Sequence, residues 1–219
     1  MVSWHKRENK IFIASKSTNE GPFANMVRER FFTLPLVKQN ILINFIKENN
    51  CTLVFEVVEP IKDPHIIKYE KPRFVLLAAI KNQLEDEYIP YEELVELVDK
   101  CNKADDEGIL SVKGLHRVFY TWEEFITFYN SVEKDFNIQH EGWVFEDSNN
   151  FMLKFKTPYY KFWKQMRSVK DRIIAEKEVK HTGNELADKV INFMVKKGGE
   201  WLSDKSIIDV REKFERDEG

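Results

Sequence analysis

The sequence predicts an α+β fold with antiparallel sheets and flanking helices. Two pairs of short strands, within residues 1–15 and 142–156, are each joined by a polar turn, which is typical of β-hairpins. Apolar residues recur at helical spacing elsewhere, most clearly in 36–48 and 91–101. With 42% hydrophobic residues and 17 phenylalanines, the 219-residue chain has enough apolar side chains for a substantial core.

The remaining elements follow in order without a low-complexity tract. A capping box at Thr121-Trp122-Glu123-Glu124 begins one helix, and Thr157-Pro158 begins another, with threonine as the cap and proline in the first turn. Residues 176–219 read as a charged helical segment that is broken near Lys196-Lys197-Gly198-Gly199. Further strands are predicted at 51–58, 74–80 and 115–120, and a further helix at 22–32.

The composition excludes several classes of protein. There is no signal peptide or apolar run long enough to span a membrane, so we expect a cytoplasmic protein. Cys51 and Cys101 have no metal or redox spacing and are interpreted as reduced packing residues. A net charge of −3 gives no global signal of nucleic-acid binding, so any RNA contact has to come from a local basic patch. The best candidate is the helix after Pro158, with Lys161, Lys164, Arg167, Lys170 and Arg172.

The second hairpin carries the charges of most chemical interest. Glu141 precedes its first strand, and Lys154 and Lys156 lie two residues apart on its second strand, so the lysines share a face. One carboxylate and two ammonium groups suit a polyphosphate that carries a metal ion. The alternative is a surface hairpin with solvated charges, which is common for lysines on an exposed strand.

Glu56 is the other informative charge, because it lies inside the nearly continuous apolar strand 51–58. A carboxylate buried in a strand is unfavourable unless it is paired or hydrogen-bonded. We therefore interpret Glu56 as a polar anchor for a ligand. An edge position or a satisfied partner in the core is the alternative.

These residues carry a resemblance to a known superfamily. Glu141-Gly142-Trp143-Val144 and Leu153-Lys154-Phe155-Lys156 resemble motifs IV and V of the covalent nucleotidyltransferases, which include ATP-dependent ligases and capping enzymes. The continuation TPYYKFWKQMRSVKDRI resembles the T4 RNA ligase 1 type and the ligase domain of fungal tRNA ligases, and the aromatic helix argues against a DNA ligase or capping enzyme. The resemblance implies a nucleotidyltransferase (ATP-grasp-like ligase) fold over 1–175, with 84–138 as a variable insertion and 176–219 as a helical appendage.

The resemblance also implies roles for individual residues. Lys154 and Lys156 would neutralise the α-phosphate of ATP and orient the pyrophosphate, while Glu141 would hold Mg²⁺. Glu56 matches the glutamate of motif III that bonds the ribose, and Lys16, after Ser15, matches a lysine near the phosphates. Residues 65–69 and 74–80 resemble paired strands behind the adenine, where Tyr69 and Phe74 are stacking candidates or, more simply, core residues.

The family reaction joins an RNA 5′-phosphate to a 3′-hydroxyl through a lysyl-adenylate and an adenylylated RNA. The lysine lies in K-x-[DHN]-G, a tetrapeptide that this sequence does not contain, and the match places it just before Met1. Three accounts are open: a truncated or mis-started ligase, one half of a split enzyme whose second polypeptide supplies the lysine, or an inactive remnant that binds nucleotide or RNA. The resemblance is also compatible with a phage or prophage origin.

Overall fold

The computed structural model describes residues 1–85, 87–105, 110–149 and 151–218, and it confirms the α+β class. The chain forms two compact units. The first comprises Met1–Glu59 and Glu70–His116, and the second comprises Pro60–Tyr69 and Arg117–Gly219. Residues 60–69 therefore belong to the second unit, although the residues before and after them belong to the first.

The first unit is a sheet with helices packed on it. Its strands lie in the order β2-β1-β3-β4-β5, with antiparallel neighbours except for the parallel pair β4 and β5. The elements, in chain order, are β1 (Val2–His5), β2 (Lys10–Ile13), α1 (Pro22–Thr33), α2 (Leu36–Asn49), β3 (Cys51–Val58), β4 (Arg73–Lys81), α3 (Tyr91–Ala104) and β5 (Leu110–Val112).

The core of this unit lies between the sheet and its helices. Phe55 and Phe74 stack at its centre, with ring centroids 4.0 Å apart. Cys51 and Cys101 are free and fully buried in the same cluster, and burial raises the pKa of each thiol to about 11. Both cysteines therefore pack as apolar side chains, as the sequence predicts.

The second unit is a two-stranded hairpin followed by a helical cluster. Thr121 caps the helix before the hairpin by accepting a hydrogen bond from the Glu124 amide, so the predicted capping box is confirmed at its first residue. No described residues form a helix long and apolar enough to cross a membrane. The elements are α4 (Trp122–Val132), β6 (Gly142–Glu146), β7 (Met152–Lys156), α5 (Pro158–Ile174), α6 (Glu185–Ser203) and α7 (Ile207–Glu218).

Helices α5, α6 and α7 share a core with the segment 60–69. Ile66 is 2% exposed within that core, and the Arg211 guanidinium donates a hydrogen bond of 2.9 Å to the Ile66 carbonyl. The same guanidinium lies 5.5 and 5.7 Å from the ring centroids of Tyr159 and Trp163. Arg211 therefore holds the 60–69 segment on the helical cluster.

Two strand predictions are wrong. Residues 115–120 are irregular, and Leu115, Val118 and Tyr120 are 67%, 58% and 86% exposed, so apolar residues there do not mark a strand. The strand of this region is β5, which ends at Val112. Residues 65–69 are also irregular, because Ile66 packs on the C-terminal helices instead of extending a sheet.

The predicted division at residue 175 stays a prediction. The two compact units divide the chain elsewhere, because α5 packs against α6 and α7 in one core. The predicted break near Lys196–Gly199 is present as a kink in α6, where Gly198 has φ 82°.

We expect Arg211→Ala to lower the free energy of unfolding by about 3 kcal/mol, because it leaves the buried Ile66 carbonyl without its donor and removes packing on two rings. Urea unfolding followed by circular dichroism measures this change. Lys213→Ala on the same helix removes an exposed ion pair with Asp217 and is the control, with an expected change below about 0.5 kcal/mol. Equal stability of the two variants would contradict the role of Arg211.

Candidate functional site

The β6–β7 hairpin has one covered face and one open face. Trp143 and Phe145 face α4, with Phe145 4.8 Å from Phe125 and Trp143 5.3 Å from Phe128 between ring centroids. The ladder pairs Gly142 with Lys156 and Val144 with Lys154. Since side chains alternate along a strand, these two pairs lie on the opposite, open face.

Lys154 and Lys156 therefore share the open face, as the sequence predicts. Lys154 is exposed, whereas the Lys156 side chain is 38% exposed and its ammonium donates to the Glu141 carboxylate. Lys154 has no carboxylate partner among the described residues. The structure thus brings together the three charges predicted for this hairpin and leaves one ammonium exposed.

The hydrogen bonds of Thr157 fix the positions of Glu141, Lys156 and Tyr160. Its side chain is fully buried, donates to the His140 carbonyl at 2.7 Å and accepts from the Tyr160 amide at 3.1 Å. Its own amide donates to the Glu141 carbonyl at 3.1 Å. One residue therefore ties the chain entering β6 to the helix leaving β7, and the predicted cap of α5 is confirmed.

Strands β6 and β7 approach each other so closely at position 142 that only glycine fits there. Its φ is +144°, and a Cβ added there would lie 1.9 Å from the carbonyl oxygen of Phe155. No other residue fits this position without moving β7. The Glu-Gly pair thus has a steric cause: glycine lets the two strands approach so that Glu141 reaches Lys156.

Tyr160, in the first turn of α5, is a candidate site residue that the sequence alone does not single out. Its ring centroid lies 5.2 Å from the Lys156 ammonium and 6.0 Å from that of Lys164. Burial raises the pKa of Tyr160, and the Glu141 carboxylate acts in the same direction, while Lys156 and Arg167 lower it. The signal in the sequence is its place in the first helical turn directly after Lys156.

Glu56 lies in the first unit, and the premise of its burial is wrong. Leu53 and Phe55 of β3 point into the core, whereas Glu56 is exposed on the other face of the strand. This is the ordinary two-residue alternation of a strand, since Val54 and Glu56 lie on the face opposite Leu53 and Phe55. Glu56 is therefore solvated, and its role in ligand binding stays a prediction.

Lys16 is also in the first unit and is exposed in the loop after β2. The loop is shaped by Ser15, whose amide and hydroxyl both donate to the Thr18 carbonyl at 2.8 and 2.9 Å. Phe74, a stacking candidate, is fully buried against Phe55 and packs the core. Tyr69 is half-buried beside His65, at a ring distance of 5.5 Å.

The donor set suits a metal ion that arrives with phosphates. The described residues contain no group of three or more His, Cys, Asp or Glu side chains that could hold a metal by themselves. Mg²⁺ commonly binds through one or two carboxylates plus substrate phosphates and waters. Glu141 supplies one carboxylate beside two cations, which fits that arrangement and not an all-protein cage.

A hairpin with a Glu-Gly entry and two lysines on its open face, in an α+β chain, is consistent with the nucleotidyltransferase-like ligases. A family profile described as RNA ligase, of the T4 RNA ligase 1 type, matches residues 1–160. This is about three quarters of the chain, so the protein belongs to that RNA ligase family. Among curated proteins, none matches the chain significantly. Members of this family generally use ATP and Mg²⁺ and act on RNA.

We expect Gly142→Ala to destabilise the protein by about 3 kcal/mol, because the new methyl group collides with the backbone of β7 at a left-handed φ. Thermal and urea unfolding measure the change. The matched control is Gly114→Ala, where a Cβ meets nothing within 4 Å. If both variants unfold alike, the hairpin does not depend on this close approach.

Proposed function

We propose that this protein is an ATP-dependent RNA ligase that joins an RNA 5′-phosphate to a 3′-hydroxyl through adenylylated intermediates. The observation that carries the proposal is the open face of the β6–β7 hairpin, where Lys154 and the Glu141–Lys156 pair lie together in a chain of the RNA ligase family. Neither lysine packs in the core: Lys154 is exposed, and the Lys156 side chain, although paired with Glu141, is partly open to solvent.

In the sealing step, the 3′-hydroxyl oxygen of one RNA end attacks the phosphorus of an adenylylated 5′-phosphate. A phosphodiester bond forms, the P–O bond to AMP breaks, and AMP leaves with that electron pair. The hydroxyl proton passes to solvent. Positive charge near the non-bridging oxygens stabilises such a transition state, which is the role that we assign to Lys154 and Lys156.

The Lys156 side chain is pre-organised before a ligand binds, whereas the Lys154 side chain is not. The Glu141 carboxylate and the Tyr160 ring fix the Lys156 ammonium, so less conformational entropy is lost when it meets a phosphate. Lys154 is exposed and orders on binding. Mg²⁺ on the phosphates would supply further charge neutralisation, and Glu141 is the carboxylate that would hold it.

Roles in nucleotide binding are also proposed for two residues of the first unit, Glu56 and Lys16. Glu56 would accept a hydrogen bond from a ribose hydroxyl, and its exposure makes the carboxylate available to a ligand. Lys16 would contribute positive charge near the phosphates, and it too is exposed. These assignments follow from the match of each residue to the motifs of the family.

We expect Lys154→Ala, Lys156→Ala and Glu141→Ala each to slow the sealing of pre-adenylylated RNA by about 100-fold. The two lysine variants remove positive charge at the reacting phosphate, and Glu141→Ala removes the carboxylate that fixes Lys156 and would hold Mg²⁺. Pre-adenylylated RNA is the chosen substrate because the full chain is then tested on the last step alone, without attack by a lysine on ATP. Gel analysis of the joined product measures the rate.

Lys134→Ala is the control, since it removes one lysine that is 89% exposed at the end of α4. Normal sealing by the three hairpin variants would disprove the proposed site. If the unmodified chain seals no RNA but still binds ATP or RNA, then nucleotide or RNA binding without catalysis becomes the function.

We expect Glu56→Gln to weaken ATP binding by about tenfold while changing the free energy of unfolding by less than about 0.5 kcal/mol, because Glu56 is solvated and the carboxylate is needed only by the ligand. Calorimetric titration and urea unfolding give the two values. Glu48→Gln, an exposed glutamate of α2, is the charge-matched control. Unchanged ATP affinity in Glu56→Gln would remove this residue from the proposed nucleotide-binding residues.

A further inference from the structure

Helix α5 carries a row of exposed cations, Lys161, Lys164 and Arg167, which we call the α5 cationic strip. The two other basic residues of the helix are used differently. Lys170 is only 9% exposed, and Arg172 donates to the Glu178 carbonyl at 2.5 Å. Of the five basic residues predicted for this helix, Lys170 is therefore buried and Arg172, although exposed, is bound to a backbone carbonyl, which leaves the three cations of the strip.

No carboxylate of the described residues neutralises the strip. Within the described residues, none of its three members lies within ion-pair distance of a carboxylate. Other exposed lysines of the same unit do have such partners: Lys68 pairs with Glu212, Lys189 with Glu185 and Lys213 with Asp217. The strip therefore leaves positive charge facing solvent, although the whole chain has a net charge of −3.

The strip continues directly from the hairpin site. Tyr160, Lys164 and Arg167 are spaced i, i+4 and i+7, so they lie along one helix face. The Tyr160 ring has the Lys156 ammonium at 5.2 Å and the Lys164 ammonium at 6.0 Å from its centroid. Lys161 flanks this row, with its ammonium 5.4 Å from the Phe155 ring. Cationic side chains thus continue from Lys156 of β7, which is paired with Glu141, onto the unpaired cations of α5.

The helix that presents the strip is fixed in place. Its opposite face is buried through Trp163 and Met166, which are 3% and 0% exposed, and its first turn is capped by Thr157. The strip therefore keeps a constant position relative to Lys156. Asp171, exposed one turn beyond Arg167, ends the run of cations.

We propose that the α5 cationic strip binds the phosphodiester backbone of the RNA strand whose reactive end lies at Lys156, an inference that rests on the proposed function. From Tyr160 to Arg167 the helix rises about 10 Å, which is about three nucleotides of a stacked strand. Regularly spaced monoanionic phosphates match a row of cations, and the arginine adds bidentate contacts to phosphate. The strip lies just beyond residues 1–160, so the family match does not assign it.

The test compares two triple variants of the full chain. Lys161, Lys164 and Arg167 are replaced by glutamine in one, and Lys134, Lys189 and Lys196 are replaced by glutamine in the other. All six positions are exposed, and both variants lose three positive charges. Fluorescence anisotropy measures the binding of a labelled single-stranded RNA of about twelve nucleotides, between about 50 and 200 mM salt.

We expect the strip variant to bind RNA at least about tenfold more weakly. The slope of log affinity against log salt concentration should also become shallower by about 2, because each phosphate contact on a single strand contributes about 0.7 to that slope and three contacts are lost. The control variant should stay within about threefold of the unmodified chain. Equal affinities of the two variants, whether both reduced or both unchanged, would overturn the inference.

Sealing assays separate this inference from the proposed function. In a chain that seals pre-adenylylated RNA, the strip variant should raise KM for RNA and leave kcat unchanged, because the strip lies beside the reacting atoms and not on them. If the unmodified chain seals nothing, the proposed function fails, but the binding comparison still decides the role of the strip. A strip variant with reduced kcat but normal RNA affinity would also overturn the inference that the strip binds RNA.

Discussion

The hydroxyl of Thr157 is the point on which the candidate site depends. It is fully buried and joins the His140 carbonyl to the Tyr160 amide, while the Thr157 amide binds the Glu141 carbonyl. Two segments that are separate in the chain, residues 140–141 and 157–160, therefore meet at one residue. Because a buried polar group without a partner is costly, these bonds hold the entry of β6 and the start of α5 in a single arrangement. The positions of Glu141, Lys156 and Tyr160 follow from it.

The local parts of this site were predictable because they depend on short-range rules. The two-residue period of a strand placed Lys154 and Lys156 on one face, and threonine before proline marked the start of α5. The role of Tyr160 was not apparent, because an aromatic residue at helical spacing reads as core until the strand before the helix is placed. The fold class and the paired strands β6 and β7 were predictable for the same local reasons.

The failures came from contacts that the local sequence does not encode. Glu56 read as buried because its neighbours are apolar, yet it lies on the face of β3 opposite Leu53 and Phe55 and is exposed to solvent. Residues 65–69 read as one strand of a pair, but Ile66 is held on the helical cluster by Arg211, 145 residues later in the chain. Periodicity within a short window contains no information about a partner at that distance.

The excursion of 60–69 into the second unit has a consequence for the order in which the protein matures. A ribosome releases Ile66 long before it releases Arg211, so this apolar side chain is covered only after α7 has been made. Closing so long a loop slows folding. Helix α7 thereby controls when a loop that begins two residues after β3 becomes ordered.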